Sequence, residues 1–195
     1  MNKVELLKKF KEFKKSFYTF AELQIILGLS KLSTNKRIID LVSQGFLIKL
    51  GKNIYVPSFL DYNVLKIAND LKQPAYISFE SALSFYHILE SEENVITLAT
   101  FLNFPHRDIG GKTIIWSRIK KELFFGFVKE KDLMIATPEK ALADLIYVAS
   151  FGRGLFNKNS IDLNKNKFDK HKFSNIIKYY PPQTQHYAVN VINSK

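Results

Sequence analysis

The chain has 195 residues, of which 46% are hydrophobic, and a formal net charge of +11. This length allows one large domain or two small ones, and the apolar content is enough for a buried core. No cysteine is present, which excludes disulfides, thiolate metal sites and cysteine nucleophiles. No apolar run reaches the roughly 18 residues of a membrane-spanning helix, and the first residues lack the apolar core of a signal peptide. The sequence therefore predicts a cytoplasmic protein.

The positive charge is unevenly distributed along the chain. Residues 1–60 hold 11 Lys and Arg against 4 Asp and Glu, a net charge of +7. Residues 61–195 hold 18 against 14, a net charge of +4. Basic clusters favour polyanions because binding releases condensed counterions, although charge alone specifies no base sequence. The N-terminal part is therefore the candidate for a polyanionic partner.

The first predicted element is an amphipathic helix over residues 3–15. Leu6, Phe10, Phe13 and Phe17 recur at helical spacing, and lysines fill much of the remaining surface. Such a helix either packs over the elements that follow or lies on a membrane surface. The sequence favours packing, because the apolar stripe is narrow and a small domain needs a third helix to close its core.

A capped pair of helices follows. Thr19 and Glu22 have the spacing of a capping box, in which each side chain accepts a hydrogen bond from the other residue's backbone N–H. Gly28 predicts the end of this helix, because glycine readily adopts the left-handed conformation found there. Ser33 or Thr34 is then expected to cap a second helix that runs to about residue 44.

A β-hairpin is predicted directly after the second helix. Residues 46–50 and 54–56 have the composition of strands, and Gly51, Lys52 and Asn53 form a tight basic turn between them. The order helix, turn, helix, hairpin is that of a winged helix-turn-helix, which we expect to occupy residues 1–58 and to bind DNA.

The second helix of the pair is the predicted DNA reader. Ile38, Leu41 and Val42 lie on one helical face, which is expected to pack against the first helix. In helix-turn-helix docking, the N-terminal part of the second helix meets base edges in the major groove, while the hairpin reaches phosphates or the minor groove. The predicted DNA contacts are Ser33, Thr34, Asn35, Lys36, Arg37 and Asp40 on the helix and Lys49, Lys52 and Asn53 on the hairpin.

Two other interpretations of this surface stay open at the level of sequence. The basic face of the second helix is also what a solvated surface of a small domain presents. Some winged helices bind only protein, and nothing in the residue pattern distinguishes them from those that bind DNA.

The rest of the chain has a mixed pattern. Residues 59–73 are predicted to form a connecting helix, with the domain boundary near residues 57–61 or at residues 73–74. Residues 74–195 are predicted to form an α+β domain with a small, mostly antiparallel sheet flanked by helices. The four main predicted strands cover residues 95–100, 113–119, 124–128 and 133–136. Thr137 and Pro138 predict the start of a long helix, and Pro181 and Pro182 separate two further helices near the end.

Several short motifs accompany the winged helix, in a fixed order. They are Pro74–Ser78, Ser81–Leu83 followed by Tyr86 and His87, the strand at 95–100, and Thr137–Leu145 with its Pro-Glu-Lys-Ala-Leu-x-Asp pattern. Together they resemble the AbiEi family of antitoxins, from type IV toxin–antitoxin systems that act in abortive infection. The resemblance covers most of the chain. It departs from the family at residues 79–80 and 88–89, where members often have Gly or Pro before the Ser-Ala-Leu and Gly-Leu after the His.

The resemblance implies a function for each half of the chain. The N-terminal domain would bind inverted repeats in double-stranded DNA upstream of its own operon and repress it, with two protomers paired as a dimer on the DNA. The C-terminal domain would counter a nucleotidyltransferase-like toxin encoded next door, without a stable complex. The alternative is a winged-helix transcription regulator whose C-terminal domain binds a ligand or dimerises.

The sequence offers no convincing active site. None of the paired-histidine, phosphate-loop or nucleophile-elbow motifs is present. The best metal candidate is His87 with the acids at 90, 92 and 93, which have the pattern of a solvated helix end. Residues 106–108 could grip a phosphate or a carboxylate, or form an ordinary surface loop. Glu139 and Asp144 lie five residues apart, off one helical face, so that Asp144 is expected to pair with a base or orient a loop. We therefore predict no catalytic residues, no metal and no cofactor.

Overall fold

The computed structural model describes residues 3–89, 94–153 and 169–193, and it is an α+β protein. The acids at 90, 92 and 93 and the predicted helix stop at residue 154 lie outside these ranges. The helices are α1 (Lys3–Phe13), α2 (Phe20–Leu27), α3 (Lys31–Ser43), α4 (Val64–Leu71), α5 (Phe79–Phe85), α6 (Pro138–Ser150), α7 (Lys170–Ile177) and α8 (Pro182–Asn193). The strands are β1 (Leu47–Gly51), β2 (Ile54–Pro57), β3 (Tyr76–Ile77), β4 (Val95–Thr100), β5 (Arg107–Ile109), β6 (Lys112–Arg118), β7 (Phe127–Glu130) and β8 (Leu133–Ala136).

The chain divides into two compact units. The first contains the residues up to Asp70 together with Asp108–Gly111. The second contains Leu71–Arg107 and the residues from Lys112 onward. None of the helices in the described ranges is long and apolar enough to cross a membrane.

The first unit is built from α1, α2, α3 and the antiparallel hairpin of β1 and β2. Tyr18, just before α2, pairs with Tyr55 of β2 and extends the hairpin by an antiparallel bridge. Side chains from all three helices and β1 share one apolar core, because each element buries a stripe at its own periodicity. The fully or nearly buried members of that core are Leu6, Phe10, Tyr18, Leu23, Ile26, Leu27, Ile38, Leu41 and Leu47.

The local signals at α2 are confirmed. Thr19 accepts from the backbone N–H of Glu22, and the Glu22 carboxylate accepts from the backbone N–H of Thr19, which completes the capping box. Gly28 ends the helix in the left-handed conformation, with a φ of 66°. The predicted inward position of Phe13 is wrong. Its side chain is exposed, because α1 ends at this residue and the chain turns away through Lys14 at a φ of 44°.

The predicted cap of α3 is also wrong. The helix begins at Lys31, and its cap is Ser30, whose hydroxyl accepts from the backbone N–H of Ser33 at 3.3 Å. Ser33 and Thr34 therefore lie inside the first turns rather than before them. The physical reason is the short connection from Gly28, which leaves only Leu29 before the next N-cap.

The strands of the second unit form a sheet in the order β6-β4-β3-β8-β7. The pairs β3–β4 and β7–β8 are antiparallel, whereas β4–β6 and β3–β8 are parallel. The sheet is thus mixed, and the expectation of a small, mostly antiparallel sheet is wrong. The short strand β3 lies in the middle of the sheet, between β4 and β8.

Two strand boundaries differ from the prediction as well. Residues 107–109 form β5 inside a segment expected to be a polar loop. Phe124 closes a short 3-10 turn instead of beginning a strand, and β7 starts only at Phe127. Gly126, at a φ of 72°, separates that turn from the strand, and an added Cβ there would lie 3.0 Å from Cγ of Lys140.

Helix α6 is the central helix of the second unit. Thr137 accepts from the backbone N–H of Lys140 and Pro138 occupies the first turn, so the predicted helix start is confirmed. Every described side chain of α6 except Pro138 and Ala149 is buried, because the helix packs against α5, α7, α8 and β8. Helices α7 and α8 are separated at Pro181, as the two prolines predicted.

Candidate nucleic-acid interface

The structure divides the predicted DNA contacts of α3 into an outward and an inward group. Ser33, Asn35 and Lys36 are exposed, and Arg37 and Asp40 are half-buried. Ile38 and Leu41 are buried in the core of the first unit, as their spacing predicted. One face of α3 therefore holds the helix on the domain, and the opposite face presents polar and basic groups to solvent.

Thr34 does not belong to the exposed face. Its side chain is fully buried, and its hydroxyl donates to the backbone carbonyl of Leu29 at 3.4 Å. The prediction that its side chain faces a partner is wrong, because Thr34 falls on the same helical face as Ile38 and Leu41. Thr34 shares that face because it lies four residues before Ile38 and seven before Leu41.

The outward face of α3 also carries two aliphatic residues that the sequence-based selection missed. Leu32 is 83% exposed and Ile39 is 59% exposed. They are seven residues apart, and Lys36 lies between them, so all three share one stripe of the helix. The signal that could have found them is this spacing, since both lie opposite the buried face of Thr34, Ile38 and Leu41.

The three predicted contacts on the hairpin have different surroundings. Lys49 and Lys52 are exposed. Asn53 stands at the turn with a φ of 62°, and its amide oxygen accepts from the backbone N–H of Phe20 at 2.7 Å. That hydrogen bond satisfies an orphan donor in the first turn of α2. Asn53 therefore fixes the hairpin tip to α2, and its carbonyl is already engaged.

Some lysines of the N-terminal part are engaged within the domain. Lys9 donates to the backbone carbonyl of Ile26 at 3.0 Å, and Lys15 forms an ion pair with Glu22. Burial raises the pKa of Glu22, but the hydrogen bonds from Lys15 and Thr19 outweigh it and hold that pKa below its ordinary value. Such lysines contribute to the positive field of the unit more than to specific contacts.

The second unit contains a buried polar cluster around α6, whose lysine, carboxylate and hydroxyl groups are of the kinds found in active sites. Lys140 and Asp144 are both completely buried and form an ion pair at i,i+4 spacing. The Asp144 carboxylate also accepts from the hydroxyls of Tyr76 and Ser78 at 2.8 Å each and from Tyr180 at 2.7 Å. Asp144 thus pairs with a base, as expected from the sequence.

The cluster is satisfied internally. The Lys140 ammonium donates to the Tyr180 hydroxyl at 2.7 Å and lies 5.1 Å to 5.5 Å from the ring centres of Tyr76, Phe125 and Tyr180. Burial lowers the pKa of Lys140, and the Asp144 carboxylate works against that shift. A fully satisfied, fully buried pair binds its own neighbours rather than a substrate. The arrangement is that of a structural network.

The remaining candidates show no assembled site. Glu139, adjacent to the cluster, is buried and accepts from the backbone N–H of Asp169 at 3.0 Å. His87 and His106 are exposed, and His87 has a φ of 56°. Across residues 3–89, 94–153 and 169–193, no group of three or more His, Asp or Glu side chains is placed to hold a metal ion.

Comparisons with known proteins support the fold alone. No protein-family model matches the chain, and no curated protein sequence matches it either. Among solved structures, the chain is similar to the crystal structure of the RV2827C protein from Mycobacterium tuberculosis, with a TM-score of 0.63 and 12% sequence identity. The similarity covers 97% of this chain and 75% of that one. The fold of nearly the whole chain is therefore similar to that of a solved structure.

Proposed function

We propose that the first unit is a winged helix-turn-helix that binds double-stranded DNA. The observation that supports it is the outward face of α3, where Lys36 and Asn35 are exposed on a helix held from behind by Ile38 and Leu41. The order α1, bridge at Tyr18, α2, α3, hairpin is the order expected of a winged helix and supports the proposal. The net charge of +7 over residues 1–60 supplies the attraction to phosphates.

In the proposed complex, α3 lies in the major groove. Lys36 and Arg37 donate to guanine acceptors, and Asn35, on the flank of the helix, contacts a base or a phosphate. Lys49 and Lys52 on the hairpin bind phosphates. We propose further that the protein represses its own operon from inverted repeats, which place two protomers on one site.

For the second unit we propose antitoxin activity against a nucleotidyltransferase-like toxin encoded by a neighbouring gene. The basis is the resemblance to the AbiEi family. Two of the motifs that carry this resemblance meet in the structure, since Tyr76 and Ser78 of the first motif bond to Asp144 of the second. The motif residues are thus joined in one hydrogen-bond network. Such a network is expected where a sequence motif specifies the fold of a domain. We propose no catalytic step for this unit.

The DNA-binding proposal is tested by titrating the full chain with DNA from upstream of its own gene at fixed salt. Lys36→Ala combined with Arg37→Ala should abolish specific binding and leave the circular dichroism spectrum unchanged. Lys129→Ala combined with Lys131→Ala is the matched control, because both lysines are exposed and lie in the second unit. Equal affinity of both double variants would refute the placement of α3 in the groove.

The antitoxin proposal needs a separate assay. The neighbouring open reading frame is co-expressed with the full chain, and growth is scored. The Lys36→Ala, Arg37→Ala variant should still rescue growth if the two units act independently. A neighbouring gene without nucleotidyltransferase motifs, or no rescue by the unaltered chain, would leave the regulator alternative, in which the second unit binds a ligand or dimerises.

A further inference from the structure

We infer that Leu32 and Ile39 on the outward face of α3 read thymine methyl groups in the major groove. The inference rests on the proposed DNA binding and adds to it the base class that is read. The starting observation is unusual exposure. Leu32 is 83% exposed and Ile39 is 59% exposed, although α3 has a well-formed buried face on its other side. A large aliphatic side chain that stays this exposed to water contributes almost no free energy of apolar burial to folding.

The chemistry around the two residues identifies the partner. Lys36 stands between them on the same stripe, with Asn35 on one side of the stripe and the half-buried Asp40 on the other. A second protein surface would gain little from a lysine at the centre of the contact, because lysine is depleted at the centres of protein interfaces. Double-stranded DNA offers both requirements at once, since phosphates line the groove and thymine presents an apolar C5-methyl on its floor.

The distance between Leu32 and Ile39 along α3 is compatible with contacts to two bases in the major groove of DNA. Seven residues of α-helix rise about 10 Å, which corresponds to about three base-pair steps at roughly 3.4 Å each. Leu32 and Ile39 on one helix can therefore contact two thymines about three base pairs apart. Lys36, halfway between them, is then placed to donate to an acceptor on an intervening base. The bound sequence should contain A·T pairs at two positions with this separation.

The experiment removes the methyl group from the DNA and the side chain from the protein. A duplex is first selected from a random library by the full chain, and each thymine is then replaced by deoxyuridine, which differs only in lacking the methyl. Two thymines about three base pairs apart should each contribute about fourfold in affinity, corresponding to ~0.8 kcal/mol for one buried methyl-sized group. Leu32→Ala should abolish the preference at one of them and Ile39→Ala at the other.

The control is an equally exposed aliphatic residue outside α3. Ile25 on α2 is 79% exposed, and Ile25→Ala should keep both thymine preferences. All three substitutions are at exposed helix positions where alanine is a better helix former, so the variants are expected to fold. Circular dichroism and a thermal melt check this directly.

Each other outcome overturns the inference in a distinguishable way. Equal affinity for thymine and deoxyuridine duplexes, with binding still dependent on Lys36, rejects methyl reading while keeping the DNA-binding proposal. A dimer in sedimentation that dissociates on Leu32→Ala, without any effect on the base preference, assigns the stripe to a second copy of the chain. If no duplex is selected at all, the proposed function fails and the inference fails with it.

Discussion

The outward face of α3 and the buried network around α6 use the same kinds of side chain in opposite environments. Lys36 on α3 is exposed, whereas Lys140 on α6 is completely buried and has Asp144 and Tyr180 as partners. A surface charge costs little to fold and stays available to a ligand. A buried charge has to be satisfied by its own neighbours and is then unavailable to a ligand. The comparison shows that the first surface is available to a ligand, whereas the charges of the second are used within the fold.

The largest effect is expected from Asp144→Ala. This change leaves the Lys140 ammonium buried without its counter-ion and also removes the acceptor of three hydroxyls. Removing one partner of a buried pair typically costs ~3–5 kcal/mol of the free energy of unfolding. Urea denaturation at neutral pH measures it.

The chain contains a reference pair for that experiment. Lys66 and Asp70 have the same i,i+4 spacing, but their side chains are 32% and 33% exposed. Asp70→Ala also removes an exposed hydrogen bond from the Ser16 hydroxyl, and it should still cost only about 1 kcal/mol, because water screens the pair and solvates the groups left behind. Similar losses for Asp144→Ala and Asp70→Ala would mean that burial is not what distinguishes the two regions.

A smaller effect is expected from Tyr180→Phe. The hydroxyl of Tyr180 donates to Asp144 and accepts from Lys140, both at 2.7 Å, so its removal leaves two buried charged groups one partner short. The expected cost is ~1.5–3 kcal/mol of unfolding free energy, the range for hydrogen bonds to charged groups. Tyr179→Phe is the matched control, since Tyr179 is the adjacent residue and is 72% exposed. If Tyr179→Phe lost as much free energy of unfolding as Tyr180→Phe, the stabilising role of the network would be contradicted.

Alkaline pH tests the same network without a mutation. Burial, and then the nearby Asp144 carboxylate, raise the pKa of Tyr76 and of Tyr180 well above the ordinary value of 10.0. The folded state keeps these protons where the unfolded state loses them. The stabilising contribution is therefore complete below pH 10 and declines as the pH rises above it.

The effect of the tyrosines on the pH dependence of the free energy of unfolding can be separated from the effect of Lys140. The lowered pKa of Lys140 acts in the opposite direction, but only up to its ordinary value of 10.5. Above that pH, each tyrosine should reduce the free energy of unfolding by about 1.4 kcal/mol per pH unit. Urea titrations at several alkaline pH values measure the slope. Tyr180→Phe should reduce it by the share of one tyrosine, about 1.4 kcal/mol per pH unit, while the raised pKa values of Tyr18, Tyr76 and Tyr86 maintain the rest. A slope that is the same in the variant would show that Tyr180 does not keep its proton in the folded state.

Local signals in the sequence correctly located the starts of α2 and α6. Thr19 and Glu22 cap α2 through their own backbone neighbours, and Thr137 with Pro138 begins α6 in the same way. Capping depends on residues three or four positions apart, which are visible in one dimension. The cap at Ser30 was missed because Ser33 is an equally good cap residue and lies only one turn further on.

Long-range packing was beyond the sequence pattern. Lys140 and Asp144 are visibly one helical turn apart, but their burial depends on Tyr76 and Ser78, 66 to 68 residues away from Asp144, and on Tyr180. The place of β3 between β4 and β8 likewise follows from pairings distant in the chain. At the candidate interface, Leu32 and Ile39 were missed for another reason. Aliphatic residues on a helix are expected to be buried, so their identity alone does not indicate exposure.

The smallest change in the free energy of unfolding is expected for substitutions on the outward face of α3, which is proposed to bind DNA. Lys36→Ala removes an exposed side chain from a helix interior and introduces the best helix former, so the free energy of unfolding should change by less than ~0.5 kcal/mol. The same variant should lose ~1–3 kcal/mol of specific DNA affinity if Lys36 contacts a base. Urea denaturation and a DNA titration on one protein sample measure the two quantities together.

Lys52→Ala supplies the contrast within that experiment. Lys52 is exposed on the hairpin turn and is proposed to contact phosphate, so its loss should weaken all duplexes about equally and reduce the salt dependence by about one counterion. Stability should again be unchanged. If Lys36→Ala behaved like Lys52→Ala, weakening every duplex equally, α3 would be attracted to DNA without reading it. If either variant unfolded the domain, an exposed lysine would be specifying the fold, and the separation of recognition from folding would fail.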